Sequence, residues 1–333
     1  MGAFKPWLLM ALLLVASPVF AIDCGRAKSE VEKAICGDAE AKSADEELGR
    51  AFERVRGSLP ANETASLKLS QRNWIQVRDT DCLAPRALKP LSKCLKEKSA
   101  LRQKFLEGRP IAGEAPAGQV RPMFIYRSAT NKEAGVSIEA LKFTGDESWE
   151  TKLNAAIGKL VKSAVKDADL SESQDAQSSP NHSYFVDLGV SLSFAAPRFV
   201  SINASYENEL GQAHPFRYAI NLNFEIPTGR ELQFEDLLNK ADAKKIFQLC
   251  RSQIVKEKLE LADVHGVTEK TDDIDPKEVE ELTRQFSNWR FGGSGVEINY
   301  GDDAFGGYGR CECSCSISYE ELRPLAKKDF PLP

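Results

Sequence analysis

A chain of 333 residues, 42% hydrophobic and 28% charged, has room for more than one ordinary domain and excludes a mini-protein, a fibrous chain and a disordered one. Its formal net charge is −5, from 44 basic and 49 acidic side chains. No run of Lys and Arg is long enough to track a phosphate backbone, so nucleic acid is not an expected partner.

Residues 1–21 read as a signal peptide: Lys5 in a short basic region, an apolar stretch from Trp7 to Ala16, the helix-breaking Pro18, and small residues at the cleavage positions of Val19-Phe20-Ala21. The apolar stretch is about half the length of a membrane span, and later apolar runs are broken by charge within a few residues. Removing the leader leaves 43 basic against 49 acidic residues, a net charge of −6. Lipidation needs a small residue before the modified cysteine, and Asp23 precedes Cys24. A periplasmic or secreted product without a membrane span is expected.

From Ser29 to Glu107 the apolar spacing is helical, as in Val31 and Ile35, Leu48, Phe52 and Val55, Leu67, Trp74 and Ile75, and Leu91, Leu95, Leu101 and Phe105. Residues 22–107 therefore predict an all-α bundle. Ser29 with Glu32 forms a capping box that starts a helix near Glu30, and Asp38 caps the second helix. Pro60 and Asn62 end that second helix, and Asn62 or Thr64 opens the third. Cys36 falls about 9 Å along the first helix, within reach of a fold-back from Cys24, and Cys82 and Cys94 flank a Pro-containing connection. These favour the bridges Cys24–Cys36 and Cys82–Cys94.

Residues 108–122 hold three Pro and three Gly with almost no large apolar side chain, which marks a linker. Beyond it, residues 123–333 change period. Segments 123–143, 184–194, 199–206 and 216–226 alternate apolar and polar residues and read as strands, while 149–165, 241–261 and 276–289 read as helices. A polar stretch, 166–181, reads as an exposed loop. Without a repeating βαβ unit, the second domain is an α+β fold with an antiparallel sheet and packed helices. Gly292-Gly293-Ser294-Gly295 reads as a hairpin turn.

Chemistry-bearing patterns are sparse. His182, His214 and His265 share no metal-ligand spacing; Asp272, Asp273 and Asp275 resemble a calcium loop, but Pro276 stands where the turn needs Gly. No nucleophile elbow, P-loop or dinucleotide fingerprint is present. Hence no catalytic residue, metal or cofactor is expected. In Cys311-Glu312-Cys313-Ser314-Cys315, strand alternation puts the three thiols on one face, and one of them is expected to bridge Cys250, giving structural disulfides throughout. The loop 299–309 gathers Tyr300, Asp302, Asp303, Phe305 and Tyr308 between two strands. Its aromatics and acid pair make these five the candidates for contact with a cationic partner.

Residues 23–107 resemble the N-terminal domain of the lysozyme inhibitor LprI. The matching pieces are Asp23-Cys24, Ser29 with Glu32 and Cys36, Asp45 to Leu48, Gln71-Arg72-x-Trp74, Arg78-Asp79-x-Asp81-Cys82, Cys94-Leu95 and Arg102. Trp74 and Ile75 are expected in the core, and Arg72, Arg78, Asp79 and Asp81 in local ion pairs that hold the bundle together. Residues 123–325 resemble the RsiV-like domain of cell-envelope proteins. The match rests on Gly211-Gln212-Ala213-His214-Pro215, Tyr218-x-Ile220-Asn221-x-Asn223-Phe224, Thr228-Gly229-Arg230-Glu231-Leu232, the short helix 234–238 and Ser318-Tyr319-x-x-Leu322. In that family lysozyme contact involves a Pro-Tyr before the last strand; Asn299-Tyr300 keeps the Tyr and lacks the Pro. Both resemblances imply a non-enzymatic envelope protein that binds a lysozyme-type cationic hydrolase. The alternative is an adaptor that binds peptidoglycan or another envelope component without inhibiting anything.

Overall fold

The computed structural model describes residues 22–84, 89–114, 120–130, 133–169, 184–211, 215–226, 228–265, 274–301, 304–306 and 313–332. The expected signal peptide lies outside the described residues, as do His182, His214, Asp272, Asp273, Asp302, Asp303, Tyr308 and Cys311. Among the described residues, no helix is long and apolar enough to cross a membrane.

Four helices form the N-terminal unit: α1 (Glu30–Gly37), α2 (Ala39–Ser58), α3 (Ala61–Leu83) and α4 (Leu91–Leu106). The local start signals act as expected at two of them. Ser29 Oγ accepts the Glu32 N–H while Glu32 accepts the Ser29 N–H in return, and Asp38 accepts the N–H groups of Glu40 and Ala41. The third helix begins earlier than the Asn62 or Thr64 start. Pro60 is its N-cap, with no side-chain cap, since the fixed φ of Pro already sets the entry and its carbonyl accepts the Thr64 N–H. The bridges Cys24–Cys36 and Cys82–Cys94 both form, with Cα separations of 5.5 and 5.7 Å. Leu48, Phe52, Val55, Leu67 and Leu106 make the inner core, which Phe124 of the sheet completes by inserting against Phe105 edge-on.

The expected linker is largely built into the fold. Ile111 N–H donates to Leu192 O, β1 (Ala112–Gly113) pairs parallel with β4 (Phe185–Ala196), and β2 (Val120–Arg127) is already sheet. Two of its glycines serve close packing. Gly108 and Gly113 have φ of +63° and +82°, and a Cβ on either would stand 2.0 Å from a carbonyl oxygen, of Val120 and Ala195 respectively.

The large sheet runs in the order β2, β3 (Gly135–Phe143), β4, β5 (Phe199–Glu209), β6 (Phe216–Glu225), β7 (Arg230–Glu231), with β1 beside the C-terminal end of β4. It is mostly antiparallel, as expected, with two parallel pairings: β3 with β4 across one right-sized crossover, α5 (Ser148–Asp167), and β1 with β4. Trp149, Leu153 and Ile157 of α5 cover one face, against Val136, Ile138, Val186 and Leu188. A bulge between Leu192 and Phe194 shifts the alternation of β4 by one residue. As a result Leu192 and Ala195 pack beneath α5 while Phe194 turns to the core on the opposite face.

That second core joins α6 (Phe234–Leu237), α7 (Lys240–His265), α8 (Pro276–Arg284), α9 (Tyr319–Leu322) and a small antiparallel sheet of β8 (Trp289–Phe291), β9 (Gly295–Asn299) and β10 (Ser314–Ser318). The helix expected to reach Trp289 stops at Arg284. Trp289 instead starts β8, fully buried, with its indole N–H donating to Thr283 O at 2.7 Å. Packing against Phe234 and Phe286 outweighs the local helical pattern. Gly292 to Gly295 closes the β8–β9 hairpin as expected. Cys250 bridges Cys315 with Cα atoms 5.1 Å apart; Cys313, buried on the same face, is also disulfide-bonded. Opposite them the Gln253 side chain covers the outer edge of β10, donating to Ser316 O and accepting the Ser316 N–H.

Candidate functional site

The described part of the loop after β9 is packed inward, a correction to the reading of Tyr300 and Phe305 as candidate contacts for a cationic partner. Tyr300 is buried, its hydroxyl paired with Thr283 Oγ1 at 2.9 Å and its acidity suppressed by burial, to a pKa of about 12. Phe305 is 1% exposed, stacks edge-on against Tyr300 and adopts the left-handed backbone region at φ 56°. Its N–H donates to Glu278 and its carbonyl accepts the buried Lys258 ammonium at 2.5 Å. Both aromatics are core side chains, because the adjoining α7 and α8 leave an apolar hollow between them. Asp302, Asp303 and Tyr308, the other three candidates, lie outside the described residues.

The charges of the helical unit do bind it together, as expected, but through tertiary contacts more than helical spacing. Arg78 is buried, bonded to Asp79 and Ser99 and paired with Asp45 of α2. Burial raises the Asp45 pKa, opposed by the Ile22 N–H and Arg78. Arg102 is buried too; it donates to Gln71, to Ser70 and to Glu139 of β3, so one guanidinium clamps the helices onto the sheet. Trp74 is not a closed core residue. It is half-buried with the Arg78 and Arg102 guanidiniums 5.2 and 5.6 Å from its ring centroid. Ile75 is likewise only half-buried.

Beside this clamp lies a groove that no single segment of sequence announces. The helical unit covers one flank of the sheet's second face and the segment 286–291 fastens the other, where Asn221 donates to Ser287 O and Asn223 to the carbonyls of Phe286 and Trp289. Between them the face stays open. Pleating aims Asp187, Gly189 and Ser191 of β4 and Asn203, Ser205 and Glu207 of β5 to this side. Two adjoining clefts, about 330 and 560 Å³, share Trp74, Val77, Glu139 and Gly189 in their lining and so form one groove. Its helical wall carries Val77 and Leu101, 57% and 45% exposed, and its far end Ile111, 40% exposed.

The charges in the groove are mostly compensated: Lys98 pairs with Asp81, Arg109 with Glu107, Arg102 with Glu139 and Glu207 with Arg217. Asp187 differs. Although the residue stands on an exposed stretch of β4, partial desolvation of its carboxylate, with Glu207 and Glu139 nearby, pushes its pKa up to about 6 against the opposing hydrogen bond of Ser137, and no cation among the described residues counters it. The arrangement is chemically suited to hold a cationic group next to an apolar one. The sequence signal for it lies in the polar residues and one Gly at every second position of 187–191 and 201–207, since a fully covered sheet face would be apolar there.

Residues 24–134 match the family model described as Lysozyme inhibitor LprI, a match that spans the four-helix unit and runs on through β2. No curated protein matches the chain. Among solved structures, a member of the DUF3298 family from Bacteroides fragilis NCTC 9343 is 15% identical, with a TM-score of 0.44 over 64% of this chain and 94% of that one. A DUF3298 family protein from Pseudomonas aeruginosa PAO1 is 12% identical, with a TM-score of 0.41 over 64% of this chain and 95% of that one.

Proposed function

We propose that this protein is a periplasmic or secreted, non-enzymatic binder and inhibitor of a lysozyme-type hydrolase, exported by the signal peptide at residues 1–21. The match of residues 24–134 to the lysozyme inhibitor LprI carries this reading. Three disulfide bridges among described residues fit an oxidising compartment. An excess of acidic over basic side chains, 49 to 44, would steer a basic enzyme toward the chain. The RsiV-like reading of 123–325 belongs to the same proposal, with Asp302, Asp303 and Tyr308 as contacts contributed by the loop after β9. In a cell-wall turbidity assay, stoichiometric protein is expected to slow clearing by lysozyme. Unaltered clearing at micromolar excess would remove inhibition, and retention on purified sacculi without lysozyme affinity would replace it with the adaptor reading.

A further inference from the structure

We infer that the groove between α3, α4 and the middle of the large sheet is the docking channel for an extended segment of the basic partner, one that presents Lys or Arg to Asp187 and an apolar side chain to Val77 and Leu101. The inference rests on the lysozyme-binding reading and adds where, and by what chemistry, the partner is held.

Three observations fix the occupant. The first is shape: the floor follows β4 from Asp187 to Leu192, a run of about 17 Å at strand rise, which matches the length of roughly five residues of extended chain. The second is the surface offered. Val77, Leu101 and Ile111 are half of the six large apolar side chains that stand exposed among the described residues, and all three line this one groove, where a partner would cover them. The third is charge. Among the described residues, the other charged side chains that line it, Arg78, Asp81, Lys98, Arg102, Arg109 and Glu139, already stand in ion pairs, whereas Asp187 has the Ser137 hydroxyl and two carboxylate neighbours. A cation arriving there gains the interaction without displacing an existing pair, and a net-basic partner is the one steered to present it.

Gly189 makes the channel testable. It sits in the floor between Asp187 and Ser191, its backbone is extended, and a Cβ built on it would meet nothing within 4 Å. Gly189→Trp should therefore fill the groove from the floor without disturbing the fold. The experiment measures affinity of the full chain for lysozyme by titration calorimetry, with circular dichroism melts as the check on folding. Gly189→Trp is expected to weaken binding by about 30-fold or more and Asp187→Lys by about tenfold or more. Glu231→Lys, the same charge change on the exposed β7, should stay within about twofold, which separates a local pair from long-range attraction. If folded Gly189→Trp and Asp187→Lys bind within twofold of the natural chain, the groove is not the channel and lysozyme binding stands elsewhere. If the natural chain itself does not bind lysozyme, the functional reading and the channel fall together.

Discussion

The helical unit and the α+β unit are closed by opposite means. The helical unit has a thin apolar core and buries two arginines, Arg78 and Arg102, within it, and its two bridges each close a loop of 12 residues. The α+β unit buries a dense aromatic centre around Phe199, Phe286, Trp289 and Phe291, and Cys250–Cys315 spans 65 residues. The difference follows from size. A unit of about 85 residues buries a smaller fraction of its surface than the larger one, so short staples and internal salt bridges carry a greater share of its closure, while the larger one relies more on packing. It also explains why the smaller unit borrows Phe124: the sheet supplies a side chain that the bundle lacks.

Breaking the bridges tests this most severely. Chain entropy assigns about 4 kcal/mol to a loop of 65 residues and about 3 kcal/mol to one of 12. Cys250→Ser with Cys315→Ser is therefore expected to cost more absolute stability than Cys24→Ser with Cys36→Ser, read by chemical denaturation. The smaller loss should nevertheless leave residues 22–84 the first region to exchange amide hydrogens, because less packing backs them. Equal exchange in the two units would sink the contrast.

The clamp comes next. Arg102→Ala strands Glu139, Ser70 and Gln71 together at the junction and should cost about 3 kcal/mol, splitting one thermal transition into two as the helical unit loosens from the sheet. The pair replacement Arg102→Met with Glu139→Gln should recover part of that loss, since it leaves no stranded charge; a double variant as unstable as the single one would mean the guanidinium acts mainly by stacking on Trp74 and Phe105.

The smallest effect concerns Asp187. Its folded pKa of about 6 lies above the ordinary carboxylate value near 4, so the folded chain holds a proton that the unfolded chain has released. Ionisation therefore costs stability, a cost absent below about pH 4 and complete above about pH 6. Asp187→Asn should accordingly raise stability at pH 7.5 by up to about 1 kcal/mol, the open side of the carboxylate being screened by water, and leave it unchanged at pH 3.5. A variant less stable at both pH values would make Asp187 part of the scaffold and not a charge held ready for a partner.

Much of the scaffold was legible because it is written in local signals. The capping box at Ser29, the Asp38 cap, the 12-residue cysteine spacings and the alternation of β4 to β6 each act within a few residues of themselves. Trp289 departs from the local reading for the opposite reason: its sequence neighbours carry a helical pattern, while its ring packs on the distant Phe234 and its backbone pairs with Ile298 of β9. Tyr300 and Phe305 look like a recognition surface in a Gly-rich loop until α7 and α8 are seen to receive them.

The amino-acid order alone thus set the helices, the strands, the early cysteine pairs and the acidic balance of the chain, since backbone periodicity, caps and short loop closures depend on nearest neighbours. Which carboxylate lacks a counter-ion, which arginine joins the two units and where a sheet face stays open were decided only by the assembled fold. Those properties belong to pairs of residues such as Arg102 and Glu139, or Val77 and Gly189, that chain folding brings together from distant positions, and electrostatic and packing energies are set by distance in space.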